Sequence, residues 1–337
     1  MSSRKNGRGS DALRAAAILL LVTGDLRAAG GNVSDELTVG SLGATPGAPA
    51  APYYSNRLNG SVDVNDALSL HLDTTFTRYS RTSDSSADDI FQLLLGGTWE
   101  PSEHVAIDVD GSVSPSSTMT TLEPATPAMP ASPATLAGRE RVRTSAVGAL
   151  ITAEYDTAGD GDLESAIDVT GGVASYSTTQ ATRSGPLRRR VLGPSETGAL
   201  VQWRAAVGVT ETLFRNTDAG VVGTYYVYNS DPTDSGYYGA AVFGRGAVVD
   251  GIPLEPLRYT LRPALLERFG DLHVRASFQY GGHVGGTGYS VLGGVKVQYR
   301  VSHPLKLWVA AYHEREIDGS GVGENIDWGS LGAMLYF

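Results

Sequence analysis

The chain has 337 residues, a mean hydropathy of -0.11 and a formal net charge of -10. No run reaches the ~18 consecutive apolar residues that a spanning helix requires, which excludes a helical membrane protein. The absence of cysteine excludes a disulfide framework and thiolate metal sites, and the acidic balance argues against a nucleic-acid partner.

The first residues read as an export signal. Arg4, Lys5, Arg8 and Arg14 precede a short apolar core at Ala15–Val22, and small residues follow at Ala28, Ala29 and Gly30. A charged region, a short apolar region and a small-residue cleavage site are the parts of a secretory signal peptide, here residues 1–29. Removing it would take away five bases (Arg4, Lys5, Arg8, Arg14, Arg27) and two acids (Asp11, Asp25), moving the net charge from -10 to -13. Residues 30–56, with Pro46, Pro49 and Pro52, read as a Pro/Ala/Gly-rich leader on the periplasmic side, in which Val33–Leu42 has room for one weak strand.

From residue 57 onward the chain reads as strands. In a strand, side chains alternate between two faces, so period-two hydrophobicity marks a sheet with one apolar and one wet face. Candidate strands are Leu58–Val64, Leu68–Tyr79, Ile90–Trp99, His104–Val113, Arg143–Tyr155, Leu163–Ser177, Gly198–Thr210, Ala219–Tyr228, Tyr237–Val249, Leu257–Arg268, Leu272–Tyr280, Tyr289–Val301, Leu305–Glu316 and Ile326–Phe337. The clearest is YSVLGGVKVQYRV. Tyr289, Val291, Gly293, Val295, Val297, Tyr299 and Val301 alternate with Ser290, Leu292, Gly294, Lys296, Gln298 and Arg300. Residues 114–141 carry Pro115, Pro124, Pro127, Pro130 and Pro133 and show no period, and they are expected to form one long outer loop.

These features predict an all-β protein: an antiparallel, up-and-down transmembrane β-barrel of 14 strands, within a range of 12–16. A barrel strand needs only ~9–11 residues, half of them polar, which explains a neutral mean hydropathy. The 42 Gly and 16 Tyr suit tight turns and interfacial aromatic girdles. One conflict stands. Short connections at Asn65–Asp66, Pro101, Gly159–Asp162, Thr210–Asp218, Gly270–Asp271 and Ser302–Pro304 cannot all lie at one end if all the candidates span. Either Tyr237–Val249 does not span, with a hidden strand near Val33–Leu42 in its place, or the number falls to 12.

The last strand ends on Phe337, with Leu335, Ala333, Leu331 and Gly329 on one face. Together with the export signal and the alternating strands, this resembles the assembly signal of Gram-negative outer-membrane β-barrel proteins. No specific porin family is matched. The resemblance implies location in the outer membrane, contact with its lipid and lipopolysaccharide, and insertion by the barrel assembly machinery.

Alternation also assigns the faces. Inward-facing acids are expected at Asp63, Asp73, Asp108, Asp110, Glu154, Glu164 and Asp168. Inward-facing bases are expected at Arg204, Arg258, Arg262, Arg275, Lys296, Arg300 and Lys306. Because neighbours in sequence are neighbours around the wall, one side of the lumen would be acidic and the other basic. That arrangement resembles the constriction of general diffusion porins, and it favours small polar solutes. A Lys or Arg in lipid at mid-depth costs roughly 2–4 kcal/mol, which fixes these residues inward.

Other features carry less. Asp156, Asp160, Asp162 and Glu164 miss the EF-hand spacing and read as a Gly-Asp turn. His283 lies in GGHVGGTG with no helix following, and His313–Glu314 lacks a second zinc histidine. Arg188–Arg190 reads as a solvated loop or a phosphate-binding one. No Gly-x-Ser-x-Gly occurs. The expected function is therefore non-enzymatic, without cofactor or metal: passive diffusion of small polar solutes. A non-conducting barrel acting through its outer loops is the alternative. An outer-membrane hydrolase using His71, His273 or His283 is third.

Overall fold

The computed structural model describes residues 30–43, 50–80, 87–122, 136–157, 165–184, 191–231, 257–317 and 319–337. The signal-peptide expectation at residues 1–29 lies outside them. The described residues form fourteen strands: β1 (Gly30–Leu42), β2 (Ala51–Asn65), β3 (Leu68–Ser80), β4 (Ala87–Ser102), β5 (Val105–Leu122), β6 (Leu136–Thr157), β7 (Ser165–Ser184), β8 (Val191–Phe214), β9 (Thr217–Tyr228), β10 (Leu257–Phe269), β11 (Leu272–His283), β12 (Tyr289–Ser302), β13 (Leu305–Ile317) and β14 (Gly323–Tyr336). Each pairs antiparallel with its neighbours in sequence, and β1 pairs with β14 to close the barrel. Strands ~4.8 Å apart and tilted ~40° close a 14-membered ring at about 28 Å between opposite backbones.

The strand number follows from the hidden-strand solution of the sequence conflict. Residues 30–42 are a full wall strand, and Leu58–Val64 is the second half of β2. Residues 30–56 are thus not a leader outside the barrel, because their described parts are hydrogen-bonded into β1 and β2. Their signal is faint because Asp35 interrupts the outward row Val33, Leu37, Val39; its Oδ1 accepts a hydrogen bond from Asn56 Nδ2 at 2.7 Å. Tyr237–Val249 lies outside the described residues, and the wall passes directly from β9 to β10.

The expected loop at 114–141 is also shorter than its composition implied. β5 runs on to Leu122 and β6 begins at Leu136, with pairing from Ser114↔Thr144 up to Leu122↔Leu136. Pro115 sits at the register shift between Ser114 and Ser117, where its missing N–H disrupts no ladder. A strand that rises beyond the membrane meets water on both faces, so its hydrophobic alternation vanishes while the pairing continues. β6, β7 and β8 have 22, 20 and 24 residues, against 12 to 14 for β9 to β14. About 13 residues at ~40° tilt already rise about 33 Å, more than the ~25 Å apolar band of such barrels. The excess of β6–β8 forms a lip on one side.

The outer surface confirms the membrane reading. Leu331 is 64% exposed, Leu95 62% and Val147 63%, and many further Val, Leu and aromatic side chains around the ring face outward. In water so large an apolar surface would drive association; in lipid it is the matched face. Tyr289–Val301 points its valines outward as expected, with Val295 46% exposed. Tight turns at 66–67, 103–104, 215–216, 270–271 and 303–304 gather at the end where Gly31 and Phe337 exchange backbone hydrogen bonds of 3.1 Å. In an up-and-down barrel this tight-turn end is periplasmic.

Candidate functional site: the lumen

The site is the inner face of the wall, and register fixes which side chains reach it. On β3 to β5 the inward acids Asp73, Asp108 and Asp110 are buried. Each has a partner. Arg57 on β2 donates through Nε to Asp73 Oδ2 at 2.6 Å, and Asn59 Nδ2 reaches the same oxygen at 3.3 Å. Thr98 donates to Asp108 Oδ1 at 2.6 Å. His71 Nε2 lies 2.6 Å from Asp110 Oδ1. That last pair joins β3 to β5 across β4, and it is possible only because β4 presents Gly96 between them: a Cβ there would overlap both side chains.

The basic wall lies seven strands away, centred on β11, which is diametrically opposite β4 in a ring of fourteen. Arg275 and Lys296 face each other as register partners across β11 and β12. Arg262 on β10 donates through Nε to Gln279 Oε1. Lys306 on β13 donates to the Tyr336 hydroxyl at 2.7 Å, and Arg300 is its register partner at the exposed periplasmic end. Among the described residues Arg275 has no ion-pair partner. Lys296 Nζ sits 4.4 Å from the centre of the Trp308 ring. The two walls are therefore unequal. The buried acids Asp73, Asp108 and Asp110 are held by local partners, whereas among the described residues Arg275 and Lys296 have no ion-pair partner.

The remaining predicted residues are distributed as follows. Asp63 faces inward at the periplasmic rim, and Glu154 and Asp168 are direct register partners across β6 and β7. Arg204 reaches the wall near Asp110, between Leu150 and Ala174. Glu164 and Arg188–Arg190 lie outside the described residues. Arg258 is a correction. The register shifts between Leu257 and Tyr259, and this bulge turns Arg258 away from the lumen, where its Nε donates to the hydroxyl of outward-facing Tyr225 at 3.2 Å. A bulge reverses the facing that simple alternation assigns. Of the histidines weighed for catalysis, His71 belongs to the Asp110 pair, His273 faces Gln298 near the periplasmic end, and His283 is fully buried with Nε2 3.7 Å from Glu316 Oε1.

Sequence reasoning missed three groups. Glu36 was hidden in the faint strand β1. Arg57 fell one residue short of the predicted strand. The inward aromatic residues broke the polar pattern expected of an inner face. Tyr53, Leu292, Ile326 and Trp328 are buried together inside the barrel toward its outer end, with Tyr312 stacked on Trp328 at 5.2 Å between ring centres. Glycines on neighbouring strands receive these rings: Gly40 lies under Tyr53, Gly294 under Tyr312 and Gly332 under Trp308. The rings lie flat on the wall in consequence, and the lumen stays open beside them. The recognisable signal is an inward Gly at the register position opposite an inward aromatic residue.

Two cavities follow the inner wall. One, of about 750 Å³, is lined by Arg262, Arg275 and Lys296 on the basic side and by Leu292, Tyr312 and Trp328 above them. The other, of about 560 Å³, extends toward the periplasmic end past His71, Asp73, Asp110, Lys306 and Tyr336. Both are bounded by Glu36, Arg57 and Lys296, so these three side chains mark the waist between them.

No family model and no curated protein matches the sequence. The similarity is to solved structures of barrels. The CymD monoaromatic hydrocarbon channel aligns over 91% of this chain and 88% of its own, at 10% identity and a TM-score of 0.55. The Ralstonia pickettii toluene transporter TbuX aligns over 91% and 89%, at 10% identity and a TM-score of 0.49. The translocator domain of the autotransporter NalP from Neisseria meningitidis aligns over 98% of each chain, at 11% identity and a TM-score of 0.45. At such identities the likeness is one of fold. The fold is that of the outer-membrane β-barrels, and the apolar belt places the chain in that membrane.

Proposed function

We propose that this outer-membrane barrel is a diffusion channel for small polar solutes. The observation that carries the reading is the lumen itself: two cavities of about 750 and 560 Å³, each lined in part by charged side chains, that share a waist at Glu36, Arg57 and Lys296. A barrel filled to exclude solute would pair its inward charges and pack its rings across the axis. Here the rings lie on glycines, and Arg275 and Lys296 remain open. The open charges supply the field: Arg275 and Lys296 together outweigh the single Glu36 in the larger cavity, and that positive excess draws small anions and dipoles and disfavours apolar solutes. The fold likeness to CymD, a hydrocarbon channel, contributes only that such a barrel can conduct.

On this reading the protein is not an enzyme and uses no cofactor. Its partners are outer-membrane lipid and lipopolysaccharide around the belt, the barrel assembly machinery during insertion, and the solutes. The test is electrical. Purified protein added to a planar bilayer should give discrete conductance steps, and proteoliposomes should swell in small sugars or amino acids. A refolded barrel that gives neither is a closed scaffold, and the channel reading falls.

A further inference from the structure

We infer that the larger cavity is a binding site for small aromatic carboxylates. The inference deepens the channel reading and rests on it for access to the lumen. The cavity, about 750 Å³, has the size of a small-molecule site. Its basic floor is unusual in being open. Of the charged groups lining it, Arg57 is ion-paired to Asp73, Asp218 to Arg268, and Arg262 is hydrogen-bonded to Gln279, which leaves Arg275 and Lys296 with the single carboxylate of Glu36. Arg275 and Lys296 stand side by side on β11 and β12, two positive charges against the one negative charge of Glu36, so a further anion between them is favoured. A carboxylate satisfies both, the guanidinium through its paired N–H groups and the ammonium as a point charge.

The apolar part of the ligand follows from what lies above. Gly294 is two residues toward the outer end from Lys296, a step of about 7 Å along β12. Tyr312 lies flat on that glycine, stacks on Trp328, and has Leu292 beside it. Trp308 flanks Lys296 on the periplasmic side. A planar ring attached to a carboxylate spans about that step, placing its face on Tyr312 and Trp328 while its charge meets Arg275 and Lys296. A hydrocarbon leaves the two cations unsatisfied, and an inorganic anion leaves the aromatic shelf unused.

The test is binding by the full chain in detergent micelles, which does not require conduction. Benzoate, acetate and benzyl alcohol are titrated in turn, by calorimetry and by tryptophan fluorescence, against empty-micelle controls. Benzoate should bind at least about tenfold more tightly than either comparator. R275Q/K296M should weaken benzoate at least about tenfold and leave benzyl alcohol unchanged, while W328L should weaken benzoate and leave acetate unchanged. Benzoate no tighter than acetate in the unmodified protein, or unaffected in the R275Q/K296M variant that retains the barrel mobility shift, overturns the inference. Binding without conductance would remove the channel reading alone, and conductance without selective binding would remove the carboxylate site alone.

Discussion

Neutralising the open bases should change which ions pass. The perturbation is Arg275→Gln and Lys296→Gln, singly and together. Half of the ~28 Å wall, less the length of a side chain, places each charge about 8 Å from the axis. At that distance a unit charge acts on a permeating ion with about 0.5 kcal/mol in water. The ~10 Å Debye length of 0.1 M salt reduces this to about 0.25 kcal/mol. Cations and anions feel it with opposite signs, so the effect on their permeability ratio is doubled. Each single variant should move the ratio toward cations by about twofold, and the double variant by about fivefold. The assay is the reversal potential across a planar bilayer in a KCl gradient. A double variant with normal strand content and an unchanged reversal potential would refute the placement of these charges beside the conducting path.

Three further outcomes follow from the inner and outer faces. Val295→Lys puts a cation into the lipid face and should cost roughly 2–4 kcal/mol in urea unfolding from vesicles, while Gln298→Lys, whose side chain lines the smaller cavity, should cost far less; equal losses would invert the wall. Gly96→Ala removes the gap through which His71 meets Asp110, and the lost hydrogen bond should lower the unfolding free energy by roughly 1–3 kcal/mol, read from the mobility shift on heating in SDS. Gly294→Val displaces the Tyr312 ring from its seat into the lumen, so single-channel conductance should fall while ion preference keeps its sign.

The parts of the fold that were legible in the sequence are those where one face meets lipid and the other water. Residues 289–301 announce their register because Val295 and Val297 are selected by hydrocarbon while Lys296 and Gln298 are selected by the lumen. The upper parts of β5 to β8 extend past the length that the apolar band of such barrels requires, so lipid does not select their composition and nothing in it separated strand from loop. β1 was obscured by a different cause: Asp35 sits on its outer face, sustained by a hydrogen bond to Asn56 that no single-strand pattern reveals. Alternation put Arg262, Arg275, Lys296 and Lys306 on the face where the structure lines the two cavities, and it lost count at Arg258, where an inserted residue shifts the register. It also gave charges without partners. That Asp73 is satisfied by Arg57, and that Arg275 has no such companion among the described residues, depends on pairing between strands, which sequence order alone does not rank.

The seam between β1 and β14 has a consequence for how the protein is made. Eleven register pairs, from Asn32↔Tyr336 to Leu42↔Ile326, join the first and last of the described strands. Until both have arrived, the growing sheet exposes two unsatisfied edges, each a template for any other extended chain. Closing so large a loop is among the slowest kinds of contact a polypeptide makes. The vulnerable species in biogenesis is therefore the open fourteen-strand sheet, and a substitution confined to Leu37, Val39 or Leu331 would act on the lifetime of that species more than on the finished cylinder.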